Sequence, residues 1–293
     1  MIAVNQLTKL YRNGRGVRDL AFSVGEGEVF GYLGPNGAGK TTTIRNLLGF
    51  LRPDAGSCSI NGLDCWGQSE RIQRILGYIA GELAIFDRMS GLEFIELLCD
   101  MRKTADRSRV SALLGRFRLD PSEQIRKMSK GSKQKLGIVA ACMHDPPVLV
   151  FDEPSAGLDP LMQDVFVHFI LEEKSRGKTI LISSHSFEEI NRTCDRAGII
   201  REGILVDIQD VHALQEKQRR HFIVTLASEE DVEKLRNSEL EIVKQENRRL
   251  EIVVEGSPDP FLKIVSGVSV EDMQQQTLVL EQVFMQYYRG EDE

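Results

Sequence analysis

The sequence predicts an α/β domain built on a mainly parallel sheet, followed by a small α+β appendage. Three observations carry this expectation. Val148-Leu149-Val150-Phe151 and Thr179-Ile180-Leu181-Ile182-Ser183 are short, continuous apolar runs, the pattern of strands buried on both faces of a parallel sheet. Each is followed within a few residues by a helix-start signal, which gives the strand–helix alternation of an α/β fold. Beyond Asp207 the buried runs give way to shorter strand signals separated by charged helical segments.

From the N-terminus, Ile2–Val4, Ala21–Val24 and Glu28–Phe30 read as short strands. They are separated by turns at Asn13-Gly14-Arg15-Gly16 and Gly25-Glu26-Gly27. A strand at Val29–Leu33 leads into a glycine-rich loop, and Thr42–Leu51 reads as an apolar helix. Cys58-Ser59-Ile60 is a further strand signal before the turn Asn61-Gly62. Ser90-Gly91-Leu92-Glu93 is a capping box that opens a helix to about Lys103, because Ser takes an orphan N–H and Glu returns the bond. Asp159-Pro160 starts another helix, with Asp as cap and Pro at the first helical position. Ser186–Glu189 repeats the capping-box pattern and begins a helix to about Cys194.

Val211–Arg220 is polar and reads as a linker helix or a surface segment. Strands are predicted at Phe222–Leu226, Leu240–Val243 and Leu250–Val254, and helices at Glu229–Arg236 and Pro258–Val265. A last helix, about Leu278–Tyr288, carries Leu280, Val283, Phe284 and Tyr287 at helical spacing. The β-α-β-β-α order suggests a ferredoxin-like appendage. The expected domains are 1–206, a linker at 207–220 and an α+β accessory domain at 221–293.

Composition narrows the function. A net charge of −7 argues against a nucleic-acid protein that works by bulk attraction to phosphate, so no nucleic-acid partner is expected. The five cysteines, Cys58, Cys65, Cys99, Cys142 and Cys194, are odd in number and form no CxxC pair, so reduced thiols are expected rather than disulfides or zinc. No run approaches the roughly 18 apolar residues that span a bilayer. Any transport role therefore requires a membrane partner.

The strongest chemical signal is Gly34-Pro35-Asn36-Gly37-Ala38-Gly39-Lys40-Thr41, which fits G-x-x-x-x-G-K-[ST] between a strand and a helix. Glycines let the backbone wrap closely round a phosphate. The loop amides and the helix N-terminus add partial positive charge. Lys40 supplies a full charge at the β- and γ-phosphates, and Thr41 a hydroxyl for Mg²⁺. Asp152-Glu153 ends the buried strand at its carboxyl edge, where such sheets bind ligands. Asp152 is placed to hold Mg²⁺ through a water, and Glu153 to polarise the attacking water as general base.

Residues 1 to about 206 resemble an ABC ATPase, with the family's landmarks in order. The resemblance implies a P-loop NTPase fold of the ABC type, with an N-terminal antiparallel β-subdomain and a helical subdomain at about 83–145. Tyr11 matches the aromatic that stacks on adenine. Met128-Ser129-Lys130-Gly131-Ser132-Lys133-Gln134-Lys135-Leu136 resembles the signature segment, Val148–Pro154 the extended Walker B strand, Ser155–Asp159 the D-loop, and His185 the switch histidine. The resemblance implies that ATP is held by Tyr11, Gly34 through Thr42, Ser129, Gly131 and Asp159. Ser129 and Gly131 would reach it from an opposing cassette, in a homodimer or with a paralogue. It implies hydrolysis by Glu153 and His185, with Mg²⁺ at Thr41 and Asp152.

Two departures stand out. Where the family has its Q-loop glutamine, this chain has Tyr78-Ile79-Ala80-Gly81-Glu82, and Glu82 is the candidate to take over the metal or water contact. The signature segment has Lys130 for a Gly and Ser132 for the Gln, a variant similar to drug- and peptide-antibiotic-exporter ATPases. Those proteins also tend to end like Leu280–Tyr288. The implied function is an ATP-binding and ATP-hydrolysing subunit that energises a separate integral-membrane permease, for export. It would sit in the cytoplasm, peripherally on the inner face of the membrane. The alternative is a soluble ATPase of the same family acting on a ribosome or nucleic acid. Such translation factors usually carry two cassettes, and this chain has one phosphate loop.

Overall fold

β1 (Ile2–Leu10) and β2 (Gly16–Val24) pair antiparallel, and the register shifts twice along their length, between Val4 and Leu7 and between Leu7 and Lys9. The strand signal at Ile2–Val4 therefore extends through a polar, irregular stretch in which Gln6 has φ +48°. The computed structural model describes residues 1–81, 88–102, 107–216 and 219–276, and divides into two units, Met1–Gln209 and Asp210–Glu293.

In the first unit, β3 (Val29–Leu33) leads into α1 (Lys40–Leu47). The helix expected at Thr42–Leu51 begins two residues earlier and stops sooner. Gly49 takes φ +71°, Phe50 N–H donates to Arg45 O (2.9 Å), and Gly49 N–H donates to Asn46 O (3.1 Å), a Schellman stop. β4 (Ala55–Ile60), β5 (Leu63–Asp64), α2 (Ser69–Ile75) and β6 (Leu76–Ile79) follow. Next come α3 (Gly91–Arg102), α4 (Arg107–Arg116) and α5 (Lys130–Cys142). The capping box before α3 is complete: Ser90 N–H donates to Glu93 Oε2 (2.7 Å) and Glu93 N–H to Ser90 Oγ (3.2 Å). The chain then alternates β7 (Val148–Asp152), α6 (Pro160–Ser175), β8 (Thr179–Ser184), α7 (Phe187–Thr193), β9 (Arg196–Arg201) and β10 (Ile204–Asp210).

These strands form two sheets. One is antiparallel, in the order β2-β1-β4-β5. The other has six strands in the order β10-β9-β3-β8-β7-β6, and the five from β9 to β6 are parallel. The core between the sheets buries Ile2, Val4, Leu20 and Phe22 with Tyr32, Ile44, Val150 and Leu181. Phe22 stacks on Phe30 and Tyr32, with ring centroids 5.3 Å apart in each case. On the opposite face of the large sheet, Phe151 meets Phe166 of α6 (5.8 Å). The apolar runs are thus buried on both faces, as the sequence predicts. A buried ionic cluster ties α4 to α6 and β8. Glu173, 1% exposed, meets Arg109 and Arg176 at 2.8 Å each and also pairs with Lys178. All five cysteines are free and buried.

The second unit contains α8 (Val211–Glu216), β11 (Arg219–Leu226), α9 (Glu229–Arg236), β12 (Glu241–Glu246), β13 (Arg249–Glu255), α10 (Asp259–Val265) and β14 (Val270–Gln276). The segment read as a linker helix or surface stretch is thus a short helix that gives way to a strand by Arg219. Its sheet is antiparallel in the order β12-β13-β11-β14, the split βαβ arrangement. Phe222, Val224, Leu250 and Ile252 pack against Val232, Leu235 and Phe261 of the helices. Strand β14 was not expected from the sequence. The helix predicted at about Leu278–Tyr288, and with it the exporter-like ending, lies outside the described residues.

Candidate functional site: a phosphate loop facing an acidic strand end

The loop after β3 is shaped by its glycines. Gly37 and Gly39 adopt φ +83° and +112°. A Cβ on Gly34 would lie 2.5 Å from Ile200 O, so that position also excludes a side chain. Two hydrogen bonds fix the loop at its ends: Gly34 N–H donates to Ser184 O (3.2 Å) and Gly203 N–H to Ala38 O (2.9 Å). Gly39 caps α1 without a side-chain acceptor, which leaves the first amides of the helix available to an anion.

The Lys40 side chain is 6% exposed and folds back over the loop. Its ammonium donates to Gly34 O (2.5 Å) and Pro35 O (3.2 Å). It also lies 2.9 Å from Glu153 Oε1, an ion pair without an aligned hydrogen bond. The other carboxylate oxygen, Oε2, is 2.6 Å from His185 Nδ1. Asp152, buried at the end of β7, accepts from Thr41 Oγ1 (2.9 Å) on Oδ2 and from Ser183 Oγ (2.5 Å) on Oδ1. The two residues thus have separate partners. Asp152 faces the threonine of the phosphate loop, and Glu153 faces its lysine.

Glu153 can turn away from the strand because its backbone sits at φ +51°. That left-handed conformation costs a non-glycine residue about 1–2 kcal/mol. It is held by Glu153 N–H donating to Ser183 O at 3.1 Å, with Ser183 Oγ at the same distance. Gln134 of α5, also buried, donates from Nε2 to Pro154 O (2.8 Å) just beyond.

A cavity of about 290 Å³ is lined by Tyr11, Pro35, Asn36, Gly37, Gly39, Lys40, Thr41, Thr42 and Glu153. Asn13, Arg15 and Gly16 of the β1–β2 turn complete its rim, and they were not among the sequence-predicted site residues. The only sequence signal for them was the turn Asn13-Gly14-Arg15-Gly16 directly after Tyr11. Tyr11 lies just past the end of β1, half-exposed, with its hydroxyl 3.5 Å from Thr42 Oγ1.

Other predicted residues lie elsewhere. Ser129 caps α5, its Oγ accepting from Ser132 N–H (3.0 Å). A Cβ on Gly131 would lie 2.8 Å from Gly157 O, so the missing side chain lets α5 pack on the turn at Ser155–Asp159. Asp159 caps α6, accepting from Met162 N–H at 3.0 Å. None of these three lines the cavity around Lys40. Glu82 lies outside the described residues. Its neighbour Gly81 runs beside Asp152, where a Cβ would stand 3.6 Å from Oδ2.

The fold and the site together define a P-loop ATPase cassette with an acidic strand end opposite its phosphate loop. A family profile described as ABC transporter matches residues 17–156. The ATP-binding protein NatA of Bacillus subtilis is 34% identical over 211 residues, which cover 70% of this chain and 86% of NatA. The bacitracin transport ATP-binding protein BcrA of Bacillus licheniformis is 33% identical over 235 residues, covering 78% of this chain and 76% of BcrA. A solved structure of the ATP-binding subunit of an ABC transporter is 31% identical, with a TM-score of 0.67 over 73% of this chain and 92% of that one. The chain belongs to the ABC transporter ATP-binding proteins. It is an ATP-binding and ATP-hydrolysing subunit of that family.

Proposed function

We propose that the chain energises a separate integral-membrane permease, at the cytoplasmic face of the membrane and in the direction of export. It would work as one of two facing cassettes. The observation that supports this most is the convergence of Lys40, Thr41 and Glu153 on one cavity that Tyr11 also lines. Among the described residues no helix is long and apolar enough to cross a membrane; in this reading the conducting path is a separate protein. The similarity to BcrA, and the likeness of the signature segment to those of drug- and peptide-antibiotic exporters, support export.

In this reading Tyr11 stacks on the adenine and the loop amides of Gly34–Thr41 wrap the phosphates. Lys40 leaves Glu153 for the β- and γ-phosphates. Glu153 orients a water and takes its proton as the water oxygen bonds to the γ-phosphorus. The β–γ bridging oxygen departs with ADP. His185 steadies Glu153 and contacts the γ-phosphate. Ser129 and Gly131 come from the second cassette, consistent with their position away from this chain's own cavity.

The Thr41 hydroxyl and the Asp152 carboxylate, already in contact, are hard oxygen donors of the kind Mg²⁺ takes beside phosphates. They are the residues that would hold it, and the ion would neutralise charge on the β- and γ-phosphates.

The test is co-purification of the tagged full chain from detergent-solubilised membranes, with and without ATP. An integral-membrane partner in fixed stoichiometry is expected. A chain that stays in the supernatant under every nucleotide condition would overturn the transport assignment and leave the ATPase assignment standing.

A further inference from the structure

Glu189 is a carboxylate of the first unit that hydrolysis does not directly employ. It lies on α7, four residues beyond His185, and is 7% exposed. A surface helix gains nothing from a buried acid, which is costly to desolvate unless its hydrogen bonds compensate. The motif Ser186–Glu189 predicts that this carboxylate returns to the backbone of Ser186 as the second half of a capping box. That bond is not made. Ser186 Oγ accepts from Glu189 N–H (3.3 Å), but the Glu189 carboxylate turns inward and accepts from Ser184 Oγ (2.5 Å). Ser186 N–H then donates to that same Ser184 hydroxyl (3.0 Å).

The residues on both sides of His185 are therefore closed into one ring of hydrogen bonds. Ser184 precedes the histidine, Ser186 follows it, and Glu189 joins them. The histidine itself is largely exposed, 62% for the side chain, so its own packing does little to aim it. Ser184 also carries the anchor of the phosphate loop, since its carbonyl accepts from Gly34 N–H (3.2 Å).

We propose that Glu189 is a positioning residue for hydrolysis. Through Ser184 and Ser186 it fixes the backbone that presents His185 to Glu153. The inference rests on the reading of His185 as a contributor to hydrolysis. Burial pushes the Glu189 carboxyl up. The hydroxyls of Ser184 and Ser155 pull it back, the Glu153 charge pushes it up again, and His185 lowers it, so the group also senses the catalytic pair electrostatically.

The test uses the full chain and four single variants, Glu189→Ala, Glu189→Gln, Ser184→Ala and His185→Ala, with the double variant Glu189→Ala/His185→Ala. Steady-state and single-turnover hydrolysis of labelled ATP are measured. Glu189→Ala and Ser184→Ala are expected to lower kcat by about tenfold or more while KM changes by less than about threefold. Glu189→Gln keeps an oxygen to accept from Ser184 and is expected to retain turnover within about threefold. On the His185→Ala background, removing Glu189 is expected to cost less than about twofold, because the two residues act as one unit. The ¹H–¹⁵N imidazole signal of His185, assigned with His185→Ala, should move in Glu189→Ala and stay in Glu189→Gln.

Ser184→Ala carries the test if Glu189→Ala does not fold. Wild-type kcat in either variant, a loss in Glu189→Gln equal to that in Glu189→Ala, or effects that multiply with His185→Ala would overturn the proposal. Wild-type turnover of His185→Ala alone would instead overturn the reading of His185 on which it stands.

Discussion

The Glu153 carboxylate holds the Lys40 ammonium at 2.9 Å, across the mouth of the loop that carries the lysine. The group proposed to activate water and the group proposed to bind the γ-phosphate are each other's ion-pair partner. In the proposed mechanism a triphosphate engages Lys40 by opening this pair, which couples nucleotide binding to the release of the base.

Replacing Glu153 with Gln therefore acts twice. Loss of the carboxylate removes the proposed general base, and single-turnover hydrolysis should fall by about 10²–10⁴-fold. It also removes the competitor for Lys40. ATP should bind roughly three- to tenfold more tightly, up to about 1.4 kcal/mol, measured by titration with a fluorescent nucleotide. Normal hydrolysis in this variant would exclude Glu153 as the base.

Replacing Lys40 with Ala has the opposite effect on affinity. Charge-assisted hydrogen bonds contribute about 1.5–3 kcal/mol each. Losing the ammonium should weaken ATP binding by roughly 10-fold to more than 100-fold, and turnover should vanish at any practical ATP concentration. The carbonyls of Gly34 and Pro35 and the Glu153 carboxylate also lose their cation. The variant should therefore melt at a lower temperature than the parent even without nucleotide, which thermal denaturation measures.

Gln134 offers a test of the backbone around the base. Its side chain, 3% exposed, donates to Pro154 O at 2.8 Å and is 3.5 Å from Glu153 O. Gln134→Leu leaves the Pro154 carbonyl buried without that donor, at a cost of about 1–3 kcal/mol. Glu153 is then freer to leave its left-handed conformation. A lower melting temperature is expected together with a fall in kcat that exceeds any loss of ATP affinity. Unchanged kcat would show that Gln134 only packs.

The extent to which this site was legible follows from where its residues lie in the chain. The phosphate loop and Asp152-Glu153 are contiguous motifs, each beside a buried strand, so local pattern and chemistry coincide there. Gln134 and Glu189 are polar residues on helices, where sequence alone favours a solvated face. Their roles arise from the packing of α5 and α7 against strand ends distant in sequence. Asn13 and Arg15 read only as turn residues, because nothing local shows that their hairpin reaches the phosphate loop. In the fold, the buried strands β7 and β8 were plain. Edge strand β14, Val-Glu-Asp-Met-Gln-Gln-Gln, has almost no apolar alternation and left no signal. The stop of α1 at Leu47 depends on Gly49, whose left-handed turn the apolar residues Phe50 and Leu51 concealed.

His144 predicts how stability depends on pH. Its Nε2 donates to Leu76 O at 3.2 Å, which fixes the neutral tautomer, and its Nδ1 is buried without a partner. Burial lowers its pKa first and the charge of Arg102 second. The bond to Leu76 raises it, and Lys178 and Arg109 lower it further, to about 4. The unfolded chain protonates this histidine near 6.5, so between about pH 6.5 and 4 it binds more protons than the folded protein does. Stability from this group is complete above about 6.5 and is lost as pH falls through that window. His144→Gln removes the titration. Its melting temperature should therefore fall less steeply than the parent's between pH 6.5 and 4, and the two curves should run parallel above pH 7. All other titrating groups are common to both proteins, so the difference between the curves isolates His144. Identical slopes across the window would show that the imidazole protonates without strain in the folded state.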